Sequence, residues 1–284
     1  MYKYSVPTMF HSVNEENRQK IRDNLKDCGV ERVFLAIDHY LFEKNGVYNS
    51  DEMKSSVEFF KKEGLEVGIW CSSFGHGAPL LHESGESQLE NYTKLQGIDN
   101  VNEGSVCPLD KNVVSIFQER IKLLATLNPD IIMLDDDYRL NYRNYTMGCT
   151  CKLHLDEYYK RIGEVVEKDE LEAKIFSGDK NRYRTEWLNL MGETLVNFAH
   201  KMRKAVDEIN CNIRLGFCTC WDVWDFEGTD CIELSKAFAG KTAPYLRTIG
   251  APYHHQKVST AVETTRTQAF WCKDSGIEIG RAHV

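Results

Sequence analysis

The chain lacks three features, each of which would have fixed a class of protein. It has no run of about 18 consecutive apolar residues, the length a helix needs to cross a bilayer. Its opening residues, MYKYSVPTMF, carry neither the basic stretch nor the apolar core of a secretory leader. Positive charge is in deficit: 35 Lys and Arg stand against 43 Asp and Glu, a formal net charge of -8, so there is no basic field to hold a phosphate backbone. The expectations are a cytoplasmic protein with no nucleic-acid partner and no membrane partner, facing a neutral or cationic ligand.

What remains is ordinary globular material. Hydrophobic residues make up 42% and charged residues 27% of 284 residues, enough for one large core and too apolar for disorder. The ten cysteines are dispersed, and Cys28, Cys71, Cys218 and Cys272 fall inside apparent strands or helices. Reduced cysteine packs as a small hydrophobe, so no disulfide framework is required.

Short apolar runs alternate with helical periodicity, the mark of βαβ units and a parallel sheet. Residues 4–10, 32–37, 66–70, 130–134, 213–218 and 245–250 read as six strands. Helices are expected over 14–29, opened by Asn14 and closed by Gly29, and over 51–64, 111–127, 232–239 and 258–276, with more helix around HLDEYYKRIGEVVEK and from Glu186 to Ile209. The loop from Ser72 to Asp110 far exceeds the usual connection length, which points to function or mobility. The sequence GIEI would begin strand seven, after which only five residues remain. The fold class is therefore α/β, a (β/α)8 TIM barrel incomplete at its C-terminus, with strands seven and eight largely missing. One domain covers 1–277, with a helical insertion at about 138–210. The ending EIGRAHV is identical to a common sequencing-library adapter translated in one frame, so 278–284 is expected to be a non-native tail.

In parallel barrels the C-terminal strand ends form the active face. The residues there are His11 after strand one, Asp38 after strand two, Trp70 and then His76 at strand three, Asp135, Asp136 and Asp137 with Arg139 and Arg143 after strand four, Trp221, Asp222 and Trp224 after strand five, and Arg247 and Tyr253 at strand six. Arg184 opens a helix that could lean over the mouth. Paired carboxylates beside arginines and flat aromatic faces suit sugar chemistry: one acid protonates a leaving oxygen and a second carboxylate serves the cation-like centre. Asp135, Asp136 and Asp137 are the catalytic candidates and the others candidate substrate contacts. Strand alternation favours Asp135 and Asp137 facing inward unless the chain bends after Leu134. The same aspartates could instead cap a turn or hold a divalent cation with His11 and His76. Separately, Cys149-x-Cys151-x2-His154 offers three zinc-type ligands, but without a second cysteine pair at standard spacing it is no zinc signature by itself. No cofactor and no metal is expected.

The segments PDIIMLDDDYRL, GCTCKLHL, FSGDKNRYRTEW, RLGFCTCWDVWDFEGTD and YLRTIGAPY together resemble a group of bacterial TIM-barrel proteins classed with the glycoside hydrolases. That resemblance spans nearly the whole chain and implies hydrolysis of an O-glycosidic bond in a carbohydrate substrate. It puts the acid/base at the aspartate run and a nucleophile after strand seven, where the group carries an E-I-x-x-E-G-D stretch of which this chain keeps only Glu278. A chain so cut should be inactive. Two other functions compete: a metal-dependent hydrolase or lyase on the same face, and a carbohydrate-binding barrel without turnover. Sequence does not reveal the oligomeric state.

Overall fold

Runs of apolar and β-branched residues too short for helices form the strands, and they pair in chain order. The computed structural model describes residues 3–37, 50–73, 91–100, 105–136, 138–140, 147–219, 228–248 and 258–280. Its strands are β1 (Ser5–Met9), β2 (Arg32–Ala36), β3 (Glu66–Cys71), β4 (Ile131–Leu134), β5 (Arg214–Cys218), β6 (Tyr245–Arg247) and β7 (Glu278–Gly280). All neighbours are parallel, in the order β1 to β7, giving a curled half-barrel in which β1 and β7 each have one strand partner among the described residues. Strand seven is thus present as three residues at the head of the segment expected to be a tail.

The helices are α1 (Arg18–Asp27), α2 (Ser50–Lys62), α3 (Lys111–Thr126), α4 (Lys152–Ile162), α5 (Lys168–Phe176), α6 (Arg182–Asp207), α7 (Cys231–Ala239) and α8 (Val258–Trp271). Two boundaries differ from expectation for local reasons. The Asn14 carboxamide accepts from the backbone of Glu16 and Asn17, closing a turn that delays α1 to Arg18. The helix expected around HLDEYYKRIGEVVEK ends at Gly163, whose φ of 75° lets its N–H cap the Tyr159 carbonyl at 2.9 Å, and α5 starts afresh. Among the described residues no helix is long and apolar enough to cross a membrane.

Alternation along the strands sorts side chains into two sets. Val33, Leu35, Val67, Ile69, Ile132, Leu134, Leu215, Phe217 and Leu246 belong to the main core, shared with the helices. Phe34, Ile131, Met133, Cys218 and Tyr245 form a second cluster on the concave side, with Trp70 against it. Gly68 sits between them because a Cβ there would lie 2.3 Å from the Phe34 ring.

Beneath this apolar layer, at the N-terminal strand ends, lies a charged floor. Arg32, only 1% exposed, donates to Glu66 at 2.9 Å and to Glu278 at 2.6 Å. Arg214 reaches the other oxygen of Glu278 at 2.7 Å. Both guanidinium groups lie near the Tyr245 ring, 5.1 and 5.5 Å from its centroid. Burial alone would raise the Glu278 pKa, but the bond and charge of Arg32, then of Arg214, hold this carboxyl below its usual range. A carboxyl depressed in the folded state stabilises the fold above its unfolded pKa of about 4.3, and that contribution is lost as pH falls through the folded value.

Arg32→Ala removes the cation shared by Glu66 and Glu278, leaving Lys3 on the first and Arg214 on the second, and should lower stability by about 1 to 3 kcal/mol, read as a lower urea midpoint. Glu278→Gln should be less stable at neutral pH yet lose less stability on acidification below about pH 4.3. Equal acid sensitivity in the variant and the parent would remove Glu278 from this account.

Candidate active face and a neighbouring cysteine and histidine cluster

The inward set on β4 is Ile131 and Met133, so the next inward position is Asp135. Its N–H still donates to the Cys71 carbonyl at 2.8 Å, which keeps it on the ladder at the C-terminal end of the sheet. The chain then turns, with the Tyr138 N–H reaching the Asp135 carbonyl at 3.3 Å. The bend thus comes one residue beyond Leu134, after Asp135, and strict alternation stops there. Tyr138 is carried to the helical side, where its ring packs edge-on to Phe238 at 4.9 Å and its hydroxyl donates to Leu195.

Facing Asp135 across the mouth is Arg247, the inward residue that ends β6. Its guanidinium lies 3.9 Å from the Asp135 carboxylate, 3.2 Å from the Cys218 sulfur and 4.8 Å from the centroid of the Trp70 ring. Burial works against its charge, but the Cys218 sulfur and then the carboxylates of Asp135 and Asp136 raise its pKa instead. The Cys218 thiol is pushed up, chiefly by burial. Asp135 is 23% exposed and Arg247 6%, so this carboxylate is open to a ligand from solvent while its cation is fixed behind it. Trp70 is in place, with the Arg247 guanidinium over one face of its ring.

Three of the other candidates are also described. His11 is exposed in the short 3-10 turn Phe10–Ser12 that follows β1, on the same end of the sheet. Arg139 is half-buried just past the turn. Arg184 has a different role from the one expected: its guanidinium donates to the carbonyls of Ile175 at 2.9 Å and Gly178 at 3.4 Å, tying the end of α5 to the start of α6. Asp137, Asp38, His76 and Arg143 lie outside the described residues, as do Trp221, Asp222, Trp224 and Tyr253.

The run Cys149, Cys151 and His154 closes the connection that the aspartates open. Its three side chains converge with Cys107, which the sequence reading missed, and the four buried donor atoms lie within 4.8 Å of one another. Among the described residues no other group of three or more His, Cys, Asp or Glu comes together in this way. Cys107 precedes α3, in a different loop, and nothing in its local sequence distinguishes it from the other scattered cysteines. Burial opposes ionisation of Cys149, yet hydrogen bonds from Cys107 and Cys151 and the charge of His154 hold its pKa well below the usual thiol value. Cys107 is pushed well above that value by burial and then by Cys149 and Cys151. Cys151 is pulled down by its bond to Cys107 but is driven by Cys149 and burial to about 12.

No family model matches the sequence, and no curated protein matches it as a relative. Solved structures share the fold. The catalytic domain of a β-amylase from Paenibacillus polymyxa superposes with a TM-score of 0.64 at 13% identity, over 100% of this chain and 86% of that one. A β-galactosidase from Marinomonas ef1 gives 0.62 at 8% identity, and one from Bacillus circulans sp. alkalophilus 0.60 at 9%. These cover 90% and 94% of this chain, which spans 43% of each β-galactosidase. The fold is thus one found in glycoside hydrolases with TIM-barrel-like architecture.

The buried, raised thiol of Cys218 should resist alkylation. Brief iodoacetamide treatment of the folded chain at about pH 8 should modify the exposed Cys28 and Cys211 and spare Cys218 until the chain is unfolded, as peptide mass spectrometry would show. Labelling of Cys218 as fast as Cys28 would contradict the packed mouth described above.

Proposed function

We propose that the chain is a glycosidase-type hydrolase acting on an O-glycosidic bond, with its acid/base chemistry at the aspartates that follow β4. One observation carries this reading: Asp135 is the inward residue at the barrel mouth, partly open to solvent, and is backed by a buried arginine. A carboxylate so placed can orient a sugar hydroxyl, and Asp136, half-buried beside it, can supply or take a proton. Asp137 shares that role in this proposal. Arg247 positions Asp135, and Trp70 buttresses Arg247 from the other side. The likeness to a β-amylase and to β-galactosidases supports a carbohydrate substrate. The second carboxylate is not assigned to any described residue.

Assay of the chain against a panel of aryl glycosides, β-galactosides included, is the direct test. In the chain extended by the strand-seven glutamate stretch that the resemblance implies, hydrolysis is expected, with kcat/KM falling about 100- to 10,000-fold in Asp135→Asn or Asp136→Asn while both variants stay folded by circular dichroism. If both folded variants keep full activity, the aspartates are not the site. If that extended chain binds sugars without cleaving any of the panel, it is a binding barrel and the hydrolytic reading is wrong.

A further inference from the structure

We infer that Cys107, Cys149, Cys151 and His154 form a closed tetrahedral zinc site that fastens the loop before α3 to the loop before α4. This goes beyond the glycosidase reading and does not depend on it.

Distances carry the inference. A tetrahedron has edges about 1.63 times its bond length, so Zn–S bonds of about 2.3 Å and Zn–N bonds of about 2.0 Å require S···S edges of about 3.8 Å and S···N edges of about 3.5 Å. The structure has Cys151 Sγ 3.6 Å from Cys107 Sγ, and His154 Nδ1 3.3 Å from Cys107 Sγ and 3.5 Å from Cys151 Sγ. Three of the donors already sit at the spacing a single ion would impose, and the fourth, Cys149 Sγ, lies within 4.8 Å of each of them. Three thiols and an imidazole are soft and borderline ligands, the set that selects zinc over magnesium or calcium. All four ligands come from protein and all four residues are buried, which leaves no open position for water and assigns the ion to structure, not catalysis.

The surroundings fit the charge and the geometry. Three thiolates around a divalent ion carry one net negative charge, and the Lys168 ammonium, held by the Gly97 carbonyl and the Asn100 side chain, is close enough to interact with Cys149 and Cys151. The ligand loops are fixed independently of any ion. The Trp187 indole donates to the Met147 carbonyl, and Thr150 bonds through its N–H to Gln96 at 2.8 Å and through its hydroxyl to Gly97 at 2.7 Å. On the other side, the Cys107 N–H donates to Thr93 at 2.7 Å, and Asp110 caps α3 while accepting from the Thr93 N–H. His154 lies in the first turn of α4, so its ring position is set by helix geometry. The Cys151 thiol at the N-cap makes no capping bond and turns toward the cluster instead.

The test uses the whole chain, purified without chelator or metal-affinity resin, with Zn2+ and Co2+ as probes. Elemental analysis should find about one zinc per chain after desalting, and cobalt replacement should give the intense visible absorption and thiolate charge-transfer band of a tetrahedral site. Both readouts use the parent protein, so a misfolding variant cannot obscure them. Cys107→Ser should weaken zinc binding by more than the roughly 10- to 100-fold that loss of an outer-shell partner costs, whereas His154→Cys should retain the ion. A folded chain that holds no zinc after reconstitution would overturn the inference. So would a six-coordinate cobalt spectrum, a disulfide among the three cysteines, or unchanged zinc affinity in Cys107→Ser.

Discussion

Parallel pairing in unbroken register determines nearly everything else in this molecule. Because Arg32 pairs with Glu66, Phe34 with Gly68, Met133 with Gly216 and Cys218 with Arg247, the concave side has three levels. Charges form the floor, aromatic and apolar groups fill the middle, and Trp70, Cys218 and Arg247 line the mouth. A slip of one residue in any strand would send the floor arginines into the helix-covered core and Asp135 away from Arg247. The register is held by burial on the outer face, where Val33, Leu35, Val67, Ile69 and Ile132 are completely enclosed.

The insertion after β4 is best understood as the support of that mouth. Helix α6, with Trp187, Leu195 and Phe198 buried, packs on α3, α4 and α7 and gives the aspartate connection a fixed wall. The Trp187 ring meets Tyr158 edge-on at 5.1 Å and also holds Met147, so one side chain joins the helical layer to the ligand loop. Gly192 and Gly228 allow the approach of α6 to the chain entering α7: a Cβ on Gly192 would lie 2.2 Å from the Gly228 carbonyl oxygen. The proposed chemistry at Asp135 and the inferred ion site are thus two ends of one braced connection.

The strands were legible in the sequence because a strand covered on both faces reads as a continuous apolar run, and Ile131 to Leu134 and Val33 to Leu35 do so. The break at Gly163 was less visible, since helical periodicity continues on both sides of it. Asp135 could be placed from strand parity alone, but the turn that follows depends on Tyr138 finding an aromatic pocket built from α6, β5 and α7, a tertiary effect. Arg184 looked like a mouth residue because arginine at a helix start is ambiguous until the partner carbonyls are known. The floor was not visible, since Arg32, Glu66 and Arg214 sit at strand beginnings where charged residues ordinarily meet solvent. Cys107 is the clearest case of information absent from local sequence: it becomes a fourth ligand only when β3 and β4 stand side by side.

Pro7 lies in the middle of β1. The Tyr4 carbonyl accepts from Arg32, so the backbone of Tyr4, Val6 and Thr8 is directed at β2, and that of Ser5, Pro7 and Met9 points to the other edge. Any strand laid along that edge, whether from this chain or from another molecule, meets a position with no donor to offer. The strand most open to indiscriminate self-association therefore carries its own guard, and in concentrated solution that edge should be a poor seed for ribbon-like assembly.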